Sequence, residues 1–291
     1  MEIFEAWPAA LFVVAGLVGL IVGSFLNVVA YRIPIMMERA WRSQCEELKA
    51  EAFTPPPQAA DGKRFDLWWP PSTCPGCGKP IAAQHNVPVI GFMWLKGRCA
   101  SCGTKISPRY PVVEAFAALL ALAVAFVFGP TWQTVAALGF SWTLLALTLI
   151  DLDHKLLPDS MTLPLLWAGL LINVPGWFTP LSSSVIGAAA GYLALWSVYK
   201  LFKLVTGKEG MGYGDFKLLA AIGAWVGWQL LPVVILLSAV VGSIVGLTLI
   251  VFGGRSSQTA IPFGPYLAAA GFIALLWGES LVQLYEAWFF R

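Results

Sequence analysis

Two aspartates stand at the edge of hydrocarbon: Asp151 closes the apolar run Leu144-Leu145-Ala146-Leu147-Thr148-Leu149-Ile150, and Asp215 opens another beginning Phe216-Lys217-Leu218-Leu219. An ionisable group at the end of a membrane helix is costly to bury and is a functional suspect by default. Two carboxylates brought together share a proton, so one can activate water while the other protonates a carbonyl oxygen. Asp151 belongs to Asp-Leu-Asp-His-Lys-Leu-Leu-Pro-Asp, which also holds Asp153 and Asp159. Of the three, Asp151 alone abuts the long apolar run, which predicts partial burial. Asp159 follows Pro158 and suits a helix cap, and Asp153 with His154 suits a solvated turn. Before Asp215, Gly212-Tyr213-Gly214 leaves the backbone without side-chain bulk. A glycine turn ending in a capping aspartate is an equal reading of that tetrapeptide alone. A second carboxylate on the same membrane face weighs the pair toward catalysis.

A different chemistry is encoded in Cys74-Pro75-Gly76-Cys77 and Cys99-Ala100-Ser101-Cys102. Two such knuckles supply four thiolates around a tetrahedral ion about 2.3 Å from each sulfur, the pattern of zinc. Disulfides are the competing reading, and a cytosolic location disfavours them. A closed four-sulfur site has no open position for water or substrate, so the metal folds its segment and takes no part in catalysis. His85 is a weaker candidate ligand. Cys45 has no partner motif.

The elements that must position these groups are membrane helices. The 291 residues are 58% hydrophobic and 12% charged, with 14 tryptophans, too apolar for an ordinary soluble domain. Apolar runs of span length fall at 9–31, 111–128, 132–150, 161–177, 183–203, 216–230, 231–252 and 264–289. The expected fold is therefore an all-α polytopic membrane protein of about eight transmembrane helices, with a small zinc-ribbon-like cytosolic insert between the first two. The domains expected are a first helix at 1–31, a loop domain with the four-cysteine site at 32–110, and a seven-helix membrane domain at 111–291. The opening Met1-Glu2-Ile3-Phe4-Glu5 is acidic and precedes a full-length span, so it is expected to stay as the first helix and not be cleaved as a signal peptide.

Of 18 Lys and Arg, 11 lie in 32–110 with six acids, which makes that segment cytoplasmic. Threading eight spans from this anchor also places Lys155, Lys200, Lys203, Lys208, Lys217 and Arg255 on the cytoplasmic side. Both termini then fall on the outer side, and Asp151 and Asp215 share the inner face. Within the insert, Met36 to Ala52 has the composition of a short surface helix, and Pro55-Pro56-Pro57 lies in a loop running to about Lys63. Pro88 to Gly97 supplies apolar bulk for a mini-core or for the membrane surface.

The two cysteine knuckles, the run Asp151 to Pro158-Asp159, Gly212-Tyr213-Gly214-Asp215, and Gly23-Ser24-Phe25-Leu26-Asn27-Val28 on the first span together resemble the type IV prepilin leader peptidase family. These are the bifunctional peptidases and N-methyltransferases of Gram-negative bacteria. The resemblance implies that Asp151 and Asp215 are the catalytic pair, cutting the basic leaders of type IV prepilins and type II secretion pseudopilins at the cytoplasmic face of the inner membrane. It also implies methylation of the new amino terminus from S-adenosylmethionine. No strand followed by a glycine-rich helix opening marks a site for that cofactor; by resemblance, Gly97 beside the second knuckle is its candidate, and a structural glycine turn is an equal reading.

The rival from another class is a transporter whose membrane carboxylates carry protons or cations, with the ribbon as a regulatory module. It predicts inverted repeats and mid-span polar residues, and neither is evident. Nucleic-acid binding is disfavoured, because six acids dilute the eleven bases of the insert. The oligomeric state is not encoded in any motif. Gly187-Ala188-Ala189-Ala190-Gly191 and Gly242-Ser243-Ile244-Val245-Gly246 suit close helix packing, and Glu114 enters the second span facing either a polar cleft or a substrate amine.

Overall fold

In the computed structural model, which describes Phe4, 7–49, 64–252 and 262–289, the chain is helical. Its eight long helices are α1 Pro8–Lys49, α2 Arg109–Phe128, α3 Trp132–His154, α4 Asp159–Ile172, α5 Leu181–Thr206, α6 Tyr213–Val226, α7 Leu231–Val251 and α8 Gly264–Phe289. Among the described residues, six helices are long and apolar enough to cross a membrane. The two that are not, α4 and α6, have 14 residues each, about 21 Å of rise against a hydrocarbon core of about 30 Å. The expected fourth and sixth spans are cut short by identifiable residues. Asn173 takes over at the end of α4, and Gly227, at φ +84°, ends α6. The Pro55-Pro56-Pro57 loop and Arg255 lie outside the described residues.

The chain divides into two compact units, Met1–Phe126 and Val127–Arg291. In the first, α1 runs 42 residues through Arg32 and Pro34, so the segment expected as a separate surface helix is its extension. The sequence there, Met36-Met37-Glu38-Arg39-Ala40, is rich in helix formers. Helix α2 packs against α1 where glycines remove bulk: a Cβ at Gly19 would lie 2.6 Å from the Cα of Ala118, and one at Gly23 2.6 Å from the Cα of Glu114. The segment between them carries two isolated β-bridges, Thr73 with Pro80 and Arg98 with Lys105, each closing around one cysteine knuckle.

In the second unit α6 is the buried centre. All of its residues from Asp215 to Val226 except Lys217 are buried, which explains why its apolar residues occupy every face. Gly187 and Gly223 let the backbones of α5 and α6 touch, and a Cβ at Gly191 would fall 2.6 Å from the Leu219 carbonyl. The packing expected of the Gly187 to Gly191 run is thus observed. At the far end of α6, the fully buried Asn173 amide donates to Ala224 O at 2.9 Å and Trp225 O at 3.1 Å. Its oxygen accepts from the amides of Phe178 and Thr179. The Trp225 indole donates to Leu165 O at 2.8 Å.

Candidate active site and metal centre

Helix α3 ends within one turn of Asp151, because Lys155 adopts the left-handed conformation (φ +55°) and its amide closes on the Asp151 carbonyl at 2.9 Å. The Asp151 side chain is 5% exposed and accepts a hydrogen bond from the Gly264 amide at 3.0 Å, at the start of α8. Asp215 sits in the first turn of α6 and is 9% exposed. Leu157 wedges between the two glycines that flank them: a Cβ at Gly214 would lie 2.8 Å from Leu157 Cβ, and one at Gly264 3.2 Å from Leu157 Cδ2. Both sequence-predicted carboxylates therefore lie at one end of the second unit, carried by different helices.

Neighbouring polar residues position that end. Lys217 donates to both oxygens of Asp159 at 2.7 Å, tying the first turns of α4 and α6. Asp159 thus serves as a first-turn ion-pair partner, and the α4 cap position falls to Pro158. The loop leading to Gly212 is held by Glu209, whose Oε1 accepts from Lys203 at 2.6 Å and from the buried Tyr199 hydroxyl at 3.2 Å. Lys203 holds the Glu209 carboxyl below its usual range. Tyr199 in turn packs on Tyr213 and Phe216. Asp153 is exposed on the last turn of α3.

Gly264 went unrecognised in the sequence. A Cβ there would come 2.6 Å from Asp151 Oδ2, so only glycine lets α8 begin against the carboxylate. The available signal was Pro262-Phe263-Gly264-Pro265, a glycine between prolines at the head of an apolar run.

In the first unit, the thiol sulfurs of Cys74, Cys77, Cys99 and Cys102 all lie within 4.8 Å of one another. Cys74 and Cys102 Sγ are 3.7 Å apart, close to the edge of about 3.8 Å that a tetrahedron with 2.3 Å bonds requires. The donor set therefore fits a zinc-sized ion. Backbone amides of Gly76 and Ser101 donate to the Cys74 and Cys99 sulfurs at 3.4 Å. The Thr104 hydroxyl, 3.2 Å from Cys102 Sγ, leads the interactions that hold the Cys102 thiol down at about 6. At Cys77 the Lys79 amide favours the thiolate, but burial and the neighbouring sulfurs outweigh it and push the thiol up to about 11. His85 lies in a separate 3₁₀ turn outside this group.

Gly97 has a packing explanation. It takes φ +66°, its amide donates to Phe92 O at 2.9 Å, and the Phe92 ring already lies 3.0 Å from where a Cβ would stand. That geometry accounts for a glycine at this position by packing alone. Glu114 is buried, and its Oε2 accepts from the Val89 amide at 2.7 Å.

Comparison with known proteins decides the family. The profile of the bacterial peptidase A24 N-terminal domain matches residues 17–128, and that of the type IV leader peptidase family matches 138–247. The chain is 54% identical to a prepilin leader peptidase/N-methyltransferase of Aeromonas salmonicida over 98% of its own length and 97% of the relative's. The chain belongs to the type IV leader peptidase family. A second protein of that name, from Pseudomonas aeruginosa, is 51% identical over 98% of this chain and 97% of its own; one from Legionella pneumophila is 44% identical over 96% of each. No solved structure matches the chain. The leader peptidase profile spans both Asp151 and Asp215, and the N-terminal profile spans all four clustered cysteines. The transporter reading finds no support in these relatives.

Proposed function

We propose that this multi-pass membrane enzyme is an aspartyl endopeptidase that removes the leaders of type IV prepilins and pseudopilins and methylates the new amino terminus. The observation that carries the peptidase reading is the burial of Asp151 and Asp215, from α3 and α6, at one end of the second unit, where Leu157 packs against both Gly214 and Gly264. A single proton serves such a pair. The ionised carboxylate takes a proton from water, the protonated one hydrogen-bonds the scissile carbonyl, and the hydroxide equivalent adds to the carbonyl carbon. Collapse of the tetrahedral intermediate passes a proton to the leaving nitrogen, and the pair returns to its starting state. The Gly264 amide keeps one Asp151 oxygen engaged and leaves the other for water or substrate.

Lys155, Lys208 and Lys217 cluster around the same end, so the positive-inside rule turns it to the cytoplasm of the inner membrane. The lysines and arginines of 32–110 orient the insert likewise. Cys74, Cys77, Cys99 and Cys102 are the zinc ligands in this reading, and the ion organises the insert. The relatives' names carry N-methyltransferase, and S-adenosylmethionine is the methyl donor in this reading. Gly97, beside the second knuckle, is the candidate position for that cofactor.

The test is incubation of the detergent-purified protein with a prepilin, followed by mass analysis. The expected product lacks its leader and carries one added methyl group. A prepilin recovered intact, from protein shown to be folded, contradicts the reading.

A further inference from the structure

The turn Asp66 to Pro70 has unusual surroundings for a cytosolic loop. The Trp68 ring stacks on Phe25 of α1, with centroids 5.5 Å apart, and Phe25 lies seven residues before Arg32, about 10 Å further into the apolar run. At the other end, Arg32, itself only 7% exposed, donates to Asp66 O at 2.8 Å and Pro70 O at 2.6 Å. The turn therefore descends along α1 from its first charge toward hydrocarbon.

Most of its backbone polar groups are paired within the protein. The Trp68 and Trp69 amides both donate to Asp66 Oδ1 at 2.8 Å, and the Asp66 amide donates to Trp69 O at 2.9 Å. Arg32 takes two of the carbonyls, and Arg64 pairs with the Asp66 carboxylate. Such internal satisfaction is what a backbone needs where water is scarce. Meanwhile Trp68 and Trp69 are 77% and 56% exposed. Indoles left bare at this depth suit the boundary between headgroups and chains.

A second turn repeats the arrangement. Glu114, at the level where Gly23 meets α2, holds the Val89 amide at φ +59°, a conformation a β-branched residue rarely adopts. That contact launches the short helix Ile90–Trp94, on which Ile90, Met93 and Trp94 are 60%, 69% and 74% exposed. Arg39, over the Phe65 ring at 4.2 Å, adds positive charge beside the first turn.

We infer that the turns at 66–70 and 89–94 are membrane-docking elements, which insert Trp68, Trp69, Met93 and Trp94 into the leaflet at the inner ends of α1 and α2. Phospholipid is the occupant, with anionic headgroups answering Arg39. The inference rests on the membrane reading above but is independent of the peptidase chemistry.

The experiment is photolabelling of the full-length protein in nanodiscs of phosphatidylcholine and phosphatidylglycerol that contain a phospholipid with a diazirine in mid-chain. Adducts mapped by mass spectrometry are expected on Trp68 or Trp69 and on Met93 or Trp94, in addition to those on α1 and α2. Adducts on the two helices with none on the turns would overturn the inference while leaving the membrane assignment intact. Photo-methionine at Met93 that cross-links to a second copy, with no lipid adduct, would overturn it too. In Arg32→Leu, label at 68–69 is expected to fall to background while label at 93–94 persists. If Arg32→Leu does not accumulate, Trp68→Lys at the exposed tip provides the same comparison.

Discussion

The Gly264 amide donates to Asp151 across 3.0 Å, joining the start of α8 to the end of α3 over 113 residues of sequence. The space on Gly264 is as consequential as the bond, since a methyl group there would come 2.6 Å from Asp151 Oδ2. Gly264→Ala is expected to displace the carboxylate and lower kcat by about 10- to 100-fold with KM little changed, as misplacing a catalytic group does. Initial rates on a purified prepilin check this; unchanged kcat would show that Gly264 does not set the Asp151 position.

Asn173 is expected to matter for stability and not for chemistry. It makes four hydrogen bonds while fully buried, at the end of the unit opposite the carboxylates. Asn173→Ala strands the Trp225 carbonyl and two amides and leaves Ala224 O to Ser184 alone, at a cost of about 3 kcal/mol or more. A thermal melt in detergent should show a clearly lower Tm, and the fraction still folded should retain near-normal specific activity.

The cysteine site gives a prediction in pH. Metal binding needs thiolates, so protons compete with it and affinity falls as pH falls. Thr104 stabilises the Cys102 thiolate; its loss raises that thiol, and more alkaline conditions are then needed for the same occupancy. Thr104→Ala is expected to move the acid release of zinc to higher pH and to weaken zinc affinity at neutral pH by about 10-fold. Release followed with a colorimetric chelator measures both. A midpoint that stays put, or moves down, contradicts the assignment.

The residues proposed to carry chemistry were legible because they violate their surroundings. A carboxylate against a run with six apolar residues in seven, or two cysteine pairs with two-residue gaps, stands out in one sequence. Gly264 did not, because its role is steric and its partner lies on a distant helix. The lengths of α4 and α6 were likewise hidden: hydropathy continues through both runs, and what ends the helices is a buried Asn173 network and the backbone of Gly227. Nor does composition reveal that α1 continues to Lys49, since the change from apolar to charged residues marks where the membrane ends and not where the helix does.

In the proposed mechanism Asp151 and Asp215 act together on one peptide bond. Leader removal from a purified prepilin by Asp151→Asn and Asp215→Asn proteins whose thermal melts match the parent, with Asp153→Ala alongside, tests this. Each Asn variant is expected to lose at least about 10²- to 10⁴-fold in rate, the usual worth of a general acid or base, while Asp153→Ala keeps most activity. Parent-like cleavage by either Asn variant would contradict the account.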